Sequence, residues 1–101
     1  MEKRYSIKIF RRARRSLEKI RKNISRESLF YADKTVEKII SSINNLNLFT
    51  NRGANLSNIT GLEIPHKYIM VHRYAIIYVV RNNVVKIVDI FHTAQDLSKW
   101  S

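Results

Sequence analysis

The chain has no cysteine among its 101 residues, one proline and two glycines. Without a thiol, disulfides, thiolate metal sites and cysteine nucleophiles are excluded together, and the absence fits a reducing cytoplasm. Long apolar runs are missing too. The longest, from Tyr74 to Val80, has seven residues, whereas a membrane-spanning helix needs about 20. The opening MEKRYSIKIFRRARR carries charge where a secretory signal needs an apolar stretch, so neither export nor a membrane partner is expected. No G-x-x-x-x-G-K-S/T phosphate loop and no Ser-His-Asp arrangement can be read, and His66, His72 and His92 lack metal-ligand spacing. No cofactor and no metal are expected.

Acidic residues are also scarce, 8 against 19 Lys and Arg, for a formal charge of +11. Residues 1–26 hold 11 of those cations against Glu2 and Glu18, a local +9, so one end of the molecule is strongly basic. A patch of that sign attracts nucleic acid, an acidic protein or an anionic membrane, the last disfavoured because the apolar stripe of the basic helix lacks large aromatic anchors. With 45% apolar residues, the chain is long enough to bury a core as a single domain over residues 1–101.

The most regular stretch is Tyr74 to Phe91, YAIIYVVRNNVVKIVDIF: two β-branched and aromatic runs folded back at Asn82-Asn83. Centring the turn there pairs Val80 with Val85, Tyr78 with Ile87, Tyr74 with Phe91 and Arg73 with His92. Lys67 to Val71 adds a strand through a tight His72-Arg73 connection, with Val71 opposite Tyr74 and Tyr68 opposite Ile77. Tyr5, Ile7 and Ile9 alternate as one more strand. Ala13, Leu17, Ile20 and Ile24 then recur at helical spacing from Arg11, and Leu29, Ala32, Val36, Ile39, Ile40, Ile43 and Leu46 form a second helix from Ser28. The expected fold is α+β: an N-terminal strand, a two-helix antiparallel hairpin, and a three-stranded antiparallel meander in one sheet with the helices on one face. A short C-terminal helical turn follows, in which Trp100 packs as a lid on the sheet or serves as a partner anchor. Residues 50–61 read as a loop, with Gly53 in a positive-φ turn. Asp89 has the parity of the helix-facing side, where a lone carboxylate is costly. It must pair with an arginine of the first helix or lie past the edge of helix cover.

The order β-α-α-β-β-β with a basic first helix, together with LNLFTNRGANL, VHRYAIIYVV and IVDIFHTAQD, resembles the RelE/ParE superfamily of bacterial toxins, the ParE side more closely. Members commonly show a Leu and a Phe followed by Pro and an Arg-Gly pair, a tyrosine-bearing strand after a basic turn, and a strand ending in His before an Arg-Asp pair. Here those positions are Leu48, Phe49, Arg52 and Gly53, then Tyr74 and Tyr78, then His92 with Asp96. Three positions depart from the pattern. Thr50 stands where proline is usual, Ala75 where RNA-cleaving members project an arginine, and Gln95 where an arginine precedes the Asp.

The resemblance implies a type II toxin neutralised by a cognate antitoxin lying across the sheet and basic helices. Its target would be DNA gyrase, inhibited by protein contact, or a ribosome with mRNA, cleaved in the RelE manner without a metal. A small basic nucleic-acid-binding domain is the third reading, and a homodimer is compatible with all three. Whether the chain is an enzyme stays open on these residues. If it is, Arg73 and His92, cross-strand neighbours at about 5 Å between Cβ atoms, would serve as phosphate clamp and acid. Arg11, Arg14, Arg15, Arg21, Lys22, Arg52 and Lys67 are the candidates for nucleic acid or an acidic partner. Tyr68, Met70, Val88, Ile90 and Trp100, on the sheet face away from the helices, are the candidates for the antitoxin.

Overall fold

The computed structural model describes residues 5–48, 50, 52–93 and 95–100; Phe49 of the family pattern lies outside them. The elements are β1 (Ser6–Ile9), α1 (Arg11–Ser25), α2 (Leu29–Asn45), β2 (Ala54–Asn55), α3 (Ser57–Thr60), β3 (Lys67–Val71), β4 (Tyr74–Arg81), β5 (Val84–His92) and a 3-10 turn (Leu97–Lys99). They form the expected α+β arrangement. The strand order is β1-β5-β4-β3-β2, with β1 parallel to β5 and the other neighbours antiparallel. β2 and α3 are short elements inside the stretch read as a loop.

Local chemistry accounts for the ends of the elements. Ser28 caps α2 by accepting a hydrogen bond from the Tyr31 N–H at 3.2 Å, as a serine before an apolar run should. α1 has no side-chain cap at Phe10 and no acidic residue in its first turn. Its stability comes from packing. Ala13, Leu17, Ile20 and Ile24 join Ile39, Ile43 and Leu46 over Ile76, Tyr78, Val85 and Ile87 of the sheet. Asn82 and Asn83 both have positive φ, 52° and 62°, the conformation a two-residue type I′ hairpin turn requires. His72, at φ 53°, opens the other turn.

β3 and β4 pair in the expected register, Val71 with Tyr74 through Tyr68 with Ile77. β4 and β5 agree from Val80–Val85 to Tyr78–Ile87, and then a bulge intervenes. Val88 is the extra residue. Beyond it Ile77 faces Asp89, Ile76 faces Ile90, Ala75 faces Phe91 and Tyr74 faces His92. The expected pairs Tyr74–Phe91 and Arg73–His92 are therefore corrected by one residue. Ile90 instead of Phe91 enters the helix-side core, and Phe91 turns to the other face. The reason lies in Asp89, which an unbulged ladder would hold on the helix-facing side of the sheet.

The other sheet face is not bare. Leu56 and Trp100 lie buried against Ile77, joined by Ile64, Tyr68, Val88, Phe91 and Leu97, so the chain's own loop and tail cover the strip expected to be open. The connection to β2 is fastened from inside the sheet. The hydroxyl of Tyr78, wholly buried, donates to the Thr50 carbonyl oxygen at 2.8 Å and accepts the Gly53 N–H at 3.0 Å. Burial raises the pKa of this hydroxyl, while the Gly53 hydrogen bond and the charge of Arg52 lower it. Gly53 does not take a positive φ, which among the described glycines belongs to Gly61. It is glycine because of close approach. A Cβ there would stand 2.8 Å from the Tyr68 carbonyl oxygen and nearer still to the Tyr78 hydroxyl.

Tyr78→Phe leaves the Gly53 N–H without its acceptor, and the expected loss is about 1 to 3 kcal/mol of unfolding free energy in a urea titration. Gly53→Ala is expected to cost at least as much, since the nearest obstacle includes backbone that cannot yield. An unchanged midpoint for Tyr78→Phe would show that the clamp carries no stability.

Candidate functional site

The polar centre of the molecule is Asp89, buried at the rim where β1 stops and β5 continues. Its Oδ1 accepts from the Ser16 Oγ–H at 2.6 Å and the Ile90 N–H at 2.8 Å. Its Oδ2 accepts from the Trp100 indole N–H at 2.8 Å and lies 3.1 Å from Arg12 Nε. Four donors meet the roughly four acceptor positions of a carboxylate, so its burial leaves no oxygen lone pair stranded. The first of the two expected resolutions, pairing with an arginine of the first helix, is the one found. Arg12 also lies over the Trp100 ring, 5.0 Å from its centroid. Trp100 is thus a lid on the sheet, tied to both α1 and β5.

Beside this hub runs a groove of ≈ 740 Å³, open to solvent. Ser16, Lys19, Asn23 and Glu27 form its wall on the α1 side, and Tyr74, Phe91 and His92 its strand side. His92 packs edge-on against Tyr74, ring centroids 4.9 Å apart. Burial raises the Tyr74 hydroxyl above its ordinary pKa, and the charge of Arg73 offsets part of this. Arg73 itself sits exposed in the turn, its carbonyl oxygen accepting from both the N–H and the hydroxyl of Thr93 at 2.8 Å. The ladder therefore sets Arg73 opposite Thr93 and on the other side from His92. The expected cross-strand pair of Arg73 with His92 is replaced by Tyr74 with His92.

The remaining candidates divide by position. Arg11, Arg14, Arg15, Arg21 and Lys22 share α1 and are exposed, with Arg21 paired to Asp33 at 3.0 Å. Arg52 and Lys67 lie apart from them, toward the β2–β3 edge, and Lys67 Nζ donates to Asn55 Oδ1 at 3.0 Å. Of the candidates for a partner-binding strip, Met70 is 48% exposed, Tyr68 and Val88 are half-buried, and Ile90 and Trp100 are buried. The strip is corrected accordingly: Ile90 belongs to the helix-side core and Trp100 to the lid. Ala75 is fully buried, and Gln95 is exposed at the groove mouth. Asp96 caps the 3-10 turn, accepting from the N–H and hydroxyl of Ser98, which hold its carboxyl below the usual range. Two groups escaped the sequence reading. Ser16 carried no signal beyond being the one small polar residue among cations. His66 packs on Trp100, ring centroids 5.3 Å apart, and its Nδ1 is buried without a hydrogen-bond partner.

Among the described residues no cluster of His, Asp or Glu could hold a metal ion, and no helix is long and apolar enough to cross a membrane. The family model described as ParE toxin of type II toxin-antitoxin system, parDE, matches residues 7–97. The chain belongs to the ParE toxin family. A solved structure titled as a chromosomal ParDE TA system from P. aeruginosa is similar to it with a TM-score of 0.71, covering 87% of this chain and 95% of that one. At 21% identity that likeness speaks for the fold alone. No curated protein matches. In this ParE-family toxin, then, the Arg-Gly and tyrosine positions of the family pattern meet physically in the Tyr78 clamp, and the His and Asp positions end β5 and start the tail.

Two outcomes follow from the hub and the lid. Asp89→Ala strands the donors of Ile90 and Trp100 in a buried site, and the expected loss is roughly 2 to 4 kcal/mol in denaturant unfolding. A red shift of emission from Trp100, the one tryptophan, should accompany it. Arg12→Gln should cost less than about 1 kcal/mol, because that side chain is half exposed and solvent-screened. Equal losses for the two variants would deny the hub its buried character. His66 has its pKa lowered below 6.5, by burial first and by the charge of Arg81 second. Its neutral form therefore contributes stability that is present above pH 6.5 and is lost as pH falls through the lowered value. Melting temperatures measured downward from pH 7.5 should drop in this window for the parent and less steeply for His66→Phe. Parallel curves would assign the slope to other groups.

Proposed function

We propose that this chain is the toxin of a toxin-antitoxin pair, neutralised by a cognate antitoxin and inhibiting cytoplasmic DNA gyrase through protein contact. The observation that carries the choice of mechanism is the bulge at Val88, which pairs His92 with Tyr74 and takes it off the side of Arg73. Phosphoryl transfer without a metal needs a cation and a proton donor converging on one phosphate. Here Ala75, where cleaving relatives have an arginine, is wholly enclosed, and Gln95 brings no charge. Loss of one preorganised charge donor typically raises the barrier by about 3 to 4 kcal/mol, and loss of acid–base catalysis slows the step about a hundred-fold or more. The ribonuclease reading keeps one foothold, since Lys19, Tyr74 and His92 line a common groove.

The test has two arms, each run with the parent and with His92→Ala. Primer extension on mRNA with translating ribosomes is expected to show weak cleavage or none. Gyrase supercoiling, with a check for trapped cleavage complexes, is expected to show inhibition that survives His92→Ala. Robust ribosome-dependent cleavage abolished by His92→Ala would overturn the gyrase reading, because an inhibitor acting by contact has no use for a proton donor there.

A further inference from the structure

α1 presents three distinct sides. Ala13, Leu17, Ile20 and Ile24 face the core, while Arg12, Ser16 and Asn23 border the groove, which Lys19, at the junction with the third side, also lines. Arg11, Arg15, Lys19 and Lys22, with Arg26 just past the helix, recur at spacings of four, four, three and four on the side opposite the core stripe. All are exposed, and the ion pairs of α1 use Arg12 and Arg21, not these residues. At ~1.5 Å per residue the stripe is roughly 22 Å long.

Two features separate this stripe from an ordinary solvated face. It begins at an uncapped helix start with no acidic residue in the first turn, the end at which the helix dipole disfavours cations. It also runs into an apolar step. Only the turn at Glu27-Ser28, closed by hydrogen bonds from both N–H groups to the Ile24 carbonyl oxygen at 3.0 Å, separates Arg26 from Leu29, Phe30 and Tyr31. These are 59%, 64% and 66% exposed, the most exposed large apolar residues described. With the far sheet face filled by the chain's own loop and tail, this hairpin tip sets three exposed large apolar side chains in succession.

We propose that this outward face of the helical hairpin docks an acidic segment of a partner protein whose apolar side chains seat on Leu29 and Phe30. The inference rests on the toxin-antitoxin reading for the partner's identity, and moves its main contact from the sheet to the hairpin. Charge complementarity selects the acidic segment, and the apolar step selects a protein over a nucleic acid. Lys34 Nζ lies 5.5 Å from the Phe30 ring centroid, and Tyr31 packs edge-on against Phe30 at 5.7 Å. Lys34 thus sits over the Phe30 ring, which disfavours a base stacked on that side, while Leu29 and the exposed remainder of Phe30 stay open to aliphatic contact.

The probe is a labelled peptide of about 15 residues, enough to span the stripe as a helix, with Glu and Leu at helical spacing. It is compared by fluorescence anisotropy with an equally charged Glu/Ser peptide and with a poly-dT oligonucleotide. The Glu/Leu peptide is expected to bind about tenfold tighter than the Glu/Ser peptide, and Leu29→Ser with Phe30→Ser to erase that difference. Arg15→Gln with Lys22→Gln should weaken both peptides and flatten their salt dependence. Both pairs are exposed, and unchanged Trp100 emission confirms the fold. Equal binding of the two peptides overturns the proposal. So does poly-dT binding tighter than either peptide and indifferent to Leu29→Ser with Phe30→Ser, which would assign the stripe to nucleic acid. A growth assay with and without the reading frame beside the gene separates the two layers. A parent toxin that this neighbour does not rescue sinks the antitoxin reading and the proposal with it. Rescue of the serine variant equal to that of the parent leaves the antitoxin reading standing and removes this surface.

Discussion

A buried carboxylate is tolerated only where donors surround it, and in this molecule that requirement governs three elements at once. Asp89 takes its donors from α1, from β5 itself and from the tail. Satisfying it therefore fixes how the helix lies on the sheet and where Trp100 packs. The bulge at Val88 brings the carboxylate to the rim, and everything after it in β5 turns over by one residue. Ile90 fills the core and His92 moves beneath α1. The bulge that brings Asp89 to its donors is also what replaces the Arg73–His92 pairing with Tyr74–His92.

The second constraint comes from the length of the sheet's own covering. Leu56, Ile64, Leu97 and Trp100 close the face that the helices leave open, and the Tyr78 clamp anchors the start of the segment that supplies the first two. A hydroxyl with one donor and one acceptor partner, inside a fully buried ring, holds that segment over a distance of 25 to 28 residues in sequence. Covered on both sides, the sheet core is left with little apolar area for a partner. The surfaces still open are the helical hairpin, the groove beneath α1 and the edge near Met70.

What could be read from the residues follows the reach of each signal. The pairing of β3 with β4 was legible because two residues, His72-Arg73, separate two alternating strands, and the hairpin at Asn82-Asn83 because asparagine accepts positive φ. The bulge was not, since an extra apolar residue inside an apolar run leaves the pattern unchanged. Its one trace was the wrong parity of Asp89. Gly53 read as a turn because loop glycines usually are, whereas its true neighbour, the Tyr78 hydroxyl, is remote in sequence. The apolar strip Ile77, Val88, Leu97 looks the same whether a partner or the chain's own tail covers it. Of the candidate residues, the α1 cations share one exposed helix as the periodicity implies, and the pairing of Arg73 with His92 gives way to the one-residue shift.

The helix carrying those cations is stabilised almost wholly from one side. α1 lacks a cap, opens with arginines at the positive end of its dipole, and is held by its apolar stripe and by the Arg12 and Ser16 contacts to Asp89. Residues on its outward side contribute nothing to that attachment and, at the first turn, act against it. A solvated face needs charge of either sign, and mixed charge would serve helix stability better through pairs one turn apart. Instead the outward side carries Arg11, Arg15, Lys19 and Lys22 against a single acidic residue, Glu18. Packing within the monomer gives these cations no part, and their charge is what fits this side of α1 to the anionic partner proposed above.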